Sequence, residues 1–122
     1  MKNLMQDINK ILLSYSKGNK KSSFNKLNKI SLEYPNNEKI IFNLAIMEED
    51  LGLNNKAKEI YKNLIKNFNN LNSKIKLYLI YLREQDYFSA IKIIEKILLE
   101  GIKDNSVLLD KAYIYLKINE IN

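Results

Sequence analysis

The densest run of ionisable side chains in the sequence is Glu48-Glu49-Asp50, three carboxylates at the C-terminal end of an apolar-periodic segment. Carboxylates grouped so closely could serve acid–base chemistry or cation binding. Consecutive helical positions splay by about 100°, however, so the three cannot converge on one ion as the ligands of a flexible loop do. The helix dipole also disfavours negative charge at that end, and Lys56 and Lys58 follow closely. A solvated rim paired with those lysines is the expectation, and docking of a basic partner is the alternative. Cys and His are both absent, which removes thiol nucleophiles, imidazole catalysis, disulfides and ordinary zinc sites. No Gly-rich phosphate loop and no recognisable Ser or Asp nucleophile motif occurs. The expectation is a protein that is not an enzyme and uses no cofactor and no metal.

The lysines form the second chemical feature. The net charge is +6, of which residues 1–37 hold +5, with seven Lys against Asp7 and Glu33. Lys17, Lys20, Lys21, Lys26 and Lys29 therefore make one end basic. Phosphate contact draws on such charge, but the chain has a single Arg, and Phe24 alone among aromatic residues is interleaved with those lysines. Solubility is the favoured role, and nucleic-acid contact is the lesser one.

The elements that must carry these residues are helices. With one Pro and three Gly, the chain lacks the turn residues an all-β fold needs. Apolar residues recur at three- and four-residue steps: Leu4, Ile8, Ile11, Leu12 and Tyr15 over 3–17, then Phe24, Leu27 and Ile30 over 20–33. Residues 38–70 read as two helices about Gly52, and 71–104 as two more about Gln85, closed by Gly101. A seventh helix, 105–119, carries Val107, Leu108, Ala112, Tyr115, Leu116 and Ile118 with no partner helix after it. Gly18-Asn19, Gly52-Leu53 and Gln85-Asp86 recur at 34 and 33 residues, as do the small residues Ser23, Ala57 and Ala90. Each of those is followed four residues on by Leu27, Tyr61 or Ile94. A small side chain lets two helices joined by a short turn approach to about 8–10 Å. The pattern predicts an all-α fold of three and a half helical hairpins in a single domain over 1–122, with repeats at about 4–37, 38–70 and 71–104 and a half-repeat or capping helix at 105–122.

Ile41, Leu44 and Ala45, then Ala57 and Tyr61, resemble the tetratricopeptide repeat pattern W-x2-L-G-x2-Y then A-x3-F. Tyr34-Pro35-Asn36-Asn37 is similar to the turn between such repeats. The sequence departs from the family at Tyr78, where a small residue belongs, at Gln85 in place of the turn glycine, and at Lys10 and Lys111, which fall on apolar positions. The resemblance implies a right-handed α–α superhelix whose first helices line a concave groove. Carried over, Ile8, Leu12 and Tyr15 would line it from the first unit, with Met5 beside them. Phe42, Asn43 and Ile46 would do so from the second, Ile75, Lys76, Leu79, Leu82 and Arg83 from the third, and Leu109, Tyr113 and Leu116 from the half-repeat. The family's carboxylate clamp would need Lys and Asn where Ile8 and Leu12 stand and Arg where Lys76 stands, so only Asn43 matches.

The implied function is that of a protein–protein interaction scaffold, an adaptor or chaperone-like protein holding an apolar or amphipathic segment of a protein or peptide partner in the groove. Two alternatives differ in class. An RNA-associated repeat would use the basic first unit, and a self-assembling module would pair as a homodimer through the apolar C-terminal helix. The longest apolar run, Ile75 to Leu82, contains Lys76 and is far short of the roughly 20 residues that span a bilayer. The N-terminus lacks the apolar core of a secretory signal, so a cytoplasmic setting is expected.

Overall fold

The computed structural model describes residues 3–121. Among these it is all-helical, with seven helices: α1 (Leu4–Ser16), α2 (Lys20–Glu33), α3 (Glu38–Asp50), α4 (Asn54–Phe68), α5 (Leu71–Arg83), α6 (Tyr87–Leu99) and α7 (Asn105–Ile121). From the start of α1 to that of α3 is 34 residues, from α3 to α5 is 33 and from α5 to α7 is 34. The even-numbered helices keep the same step, 34 from α2 to α4 and 33 from α4 to α6.

The short turns inside each hairpin are copies of one device. In the first, the Gly18 amide donates to the Tyr15 carbonyl and the Asn19 amide to that of Ser14; in the second, Gly52 donates to Glu49 and Leu53 to Glu48. In the third, Gln85 donates to Leu82 and Asp86 to Tyr81. This is the Schellman ending, which needs a left-handed residue just past the helix. Gly18 and Gly52 supply it with φ of +107° and +83°, and Gln85 supplies it at +60°.

Helix starts repeat as faithfully. Asn3, Asn37 and Asn70 each accept the backbone N–H three residues on, at 3.2, 3.0 and 2.7 Å. Asp104 does the same for Val107 at 3.2 Å. A side-chain oxygen at this position satisfies one of the N–H groups a helix start leaves unpaired, for about 1 kcal/mol.

The helices gather into two compact units, one up to Ile60 and one from Tyr61. In the first, α1 packs on α2 and α2 on α3. Its core is Ile8, Ile11, Leu27, Ile40, Leu44 and Met47, with Leu12, Tyr15, Phe24 and Ile30 packed against it. In the second, α5 packs on α6 and α6 on α7. Tyr78, Tyr87, Ala90, Ile94, Ile97, Val107 and Ile114 form its core, flanked by Ile75, Leu79, Tyr81 and Leu82. Burial of each large aliphatic side chain stabilises its unit by roughly 1.5–3 kcal/mol. No helix among the described residues is long and apolar enough to cross a membrane.

Candidate functional site

The carboxylate run divides. Asp50 accepts the Tyr15 hydroxyl at 2.5 Å and pairs with Lys20 at 3.0 Å. Those two partners hold its pKa below the usual value, while burial and the Asp50 carboxylate push the Tyr15 phenol up to about 12. Glu48 is buried, which raises its pKa against the opposing pull of Lys56. The rim therefore leans on residues some 30 positions upstream as well as on the downstream lysine that sequence adjacency suggests. Among the described residues no group of three carboxylates is placed to hold a metal ion.

The fourteen residues assigned to a groove have different fates. Ile8 is wholly buried in the first core, against Ile11, Leu27 and Ile40, and presents no surface. Leu12, Tyr15, Phe42, Asn43 and Ile46 are half-buried in the same unit, and the Asn43 amide donates to the carbonyl of Lys39 in its own helix at 2.8 Å. In the second unit Ile75, Lys76, Leu79 and Leu82 are half-buried and Arg83 is exposed. Leu109, Tyr113 and Leu116 are brought together on α7, with 71%, 46% and 64% of their surface open to solvent.

These three continue round α7 into Leu108 and Tyr115, both 45% exposed, and Ala112, also exposed. At about 100° per residue the six cover a continuous arc of roughly 160°. The opposite side buries Val107 and Ile114 in the core. A polar rim borders the arc. Glu95 on α6 accepts the Tyr115 hydroxyl at 3.0 Å and pairs with Lys111 at 3.5 Å; that hydrogen bond raises the Tyr115 pKa. Tyr113 meets Tyr87 edge-on at 6.4 Å and lies under the Lys117 ammonium at 5.5 Å. These contacts orient Tyr113 and Tyr115 while each stays nearly half exposed, as suits an aromatic contact surface.

The repeat explains why Leu108, Ala112 and Tyr115 belong to this surface, though groove positions alone do not reach them. Their counterparts 34 residues earlier are Lys74, Tyr78 and Tyr81 on α5. There Lys74 and Tyr78 are buried and Tyr81 is packed against the core that α6 shares. Lys74 also reaches Glu100, just past the end of α6, at 2.5 Å. Tyr78 takes the small-residue position by sending its hydroxyl to Asp110 of α7 at 2.6 Å.

On α2, Lys21, Lys26 and Lys29 line a shallow depression with Ser22 and Asn25. No protein-family model matches the chain, and no curated protein matches it.

Proposed function

We propose that the chain is a helical-hairpin repeat of the tetratricopeptide kind, and that its work is to bind protein. In the second unit the binding surface is the open arc of α7, and its occupant is an amphipathic helical segment, as an adaptor or chaperone-like protein would take. One observation supports this reading above the others. The positions that α6 helps cover on α5 stand open one repeat later on α7. A helix of the α6 type, with a small residue such as Ala90 at the crossing, fits that face by the geometry the third hairpin already uses. No catalytic step belongs to this reading.

The test is a fluorescence-anisotropy titration with a labelled 18-residue amphipathic Leu/Lys peptide. Binding should fall at least tenfold in Leu109→Lys/Leu116→Lys. It should persist in Leu99→Lys, which alters a residue 89% exposed on α6. Binding undiminished in the double variant would refute the site.

A second reading rests on α2. Lys21, Lys26 and Lys29 pair with no carboxylate among the described residues. An RNA backbone would suit this face, and a mobility shift that collapses between low and moderate salt would support it.

A further inference from the structure

Seven outward residues of α7 are placed symmetrically about Ala112, with Tyr113 at the edge of the arc outside this set. Leu109 and Tyr115 lie three residues before and after Ala112, Leu108 and Leu116 four, and Asn105 and Asn119 seven. All seven residues are exposed. Val107 and Ile114, which the core buries, lie outside this stripe. A stripe whose apolar and polar positions fall alike in both directions complements itself when a second copy is turned antiparallel about a two-fold axis through its midpoint.

Resting on the reading of this arc as a protein-binding face, we propose that its occupant is α7 of a second copy of this chain. In the antiparallel pair Leu108 packs on Tyr115 of the copy and Leu109 on Leu116, each contact made twice by symmetry. Ala112 meets Ala112 at the crossing, where the small side chain permits an axis separation of about 8 Å. Asn105 and Asn119 close the two ends with polar side chains. Glu120 comes beside the first turn of the copy's helix, where the backbone dipole favours an anion, and the two dipoles oppose one another. Lys111 and Glu95, already paired at 3.5 Å, remain at the rim. A single helix pair lies at the small end of specific interfaces, below about 1,200 Å² in total, so association belongs in the micromolar range.

Sedimentation velocity on the full chain from 1 to 200 μM tests this. The mass should rise from 14.4 kDa towards twice that value, and Leu109→Lys/Leu116→Lys should stay monomeric throughout, its helicity checked by circular dichroism. The chain has no cysteine, so Ala112→Cys should form an intermolecular disulfide on mild oxidation and Lys103→Cys should not. That comparison decides the matter even if the double variant fails to fold. A wild-type monomer at 200 μM, a dimer that survives the double variant, or equal cross-linking at both cysteine positions would overturn the proposal. A monomer that still binds the amphipathic peptide through α7 would overturn self-pairing and leave the broader reading standing; a monomer that binds nothing there would remove both.

Discussion

Tyr78 on α5 donates its hydroxyl hydrogen to Oδ2 of Asp110 on α7, at 2.6 Å, from within the core of the second unit. Burial, and then the carboxylate, raise its pKa well above the ordinary tyrosine value. The bond ties the arc-bearing helix to the hairpin before it. Tyr78→Phe keeps the ring but leaves Asp110 without this donor. The expected loss is about 1.5–3 kcal/mol, the range for a hydrogen bond to a charged group, read by urea denaturation. Asp110→Asn, which keeps an acceptor, should cost less.

Tyr15 and Asp50 predict an alkaline limit. The Tyr15 phenol is raised to about 12 in the folded chain, against about 10 when unfolded. Its contribution is complete below pH 10 and is lost as pH rises from 10 through 12, because the unfolded chain releases the proton first. Tyr15→Phe should therefore flatten the fall in stability between pH 10 and 12, measured by denaturant titration at several pH values. An unchanged slope would show that the pair does not govern this window.

Gln85 holds the left-handed position of the third hairpin turn at φ +60°, where the first two turns use glycine. A side chain there costs about 1–2 kcal/mol of backbone strain, partly offset because glycine gains freedom when unfolded. Gln85→Gly should stabilise the chain by roughly 0.5–1 kcal/mol. Gly52→Ala should destabilise it by a similar amount through backbone strain alone, since no atom lies within 4 Å of the added Cβ. Thermal melts of both variants check the opposite signs.

Much of the fold is legible in the residues, because punctuation and periodicity agree. α2 spans Lys20–Glu33 as its apolar pattern indicates, and the hairpin turns fall at Gly18, Gly52 and Gln85. The Asn caps are not legible in the sequence for a compositional reason: asparagine is so frequent here that positions 3, 37 and 70 do not stand out without their N–H partners. Asp50 reaching Tyr15 and Lys20 depends on packing between α1, α2 and α3, which adjacency in sequence cannot show. The apolar residues of α7 are plain in the sequence, but which of them face water depends on where α6 lies. Ile8 and Leu109 hold equivalent groove positions, yet one is core and the other is open.

The open face of α7 is the proposed place where another helix binds. Hydrogen exchange read by mass spectrometry tests it directly, with about 1 μM protein and a saturating amount of the amphipathic peptide. Slowed exchange is expected across residues 105–119, with α2 unchanged. Slowed exchange confined to α2 or α3, with α7 exchanging as in the free chain, would contradict it.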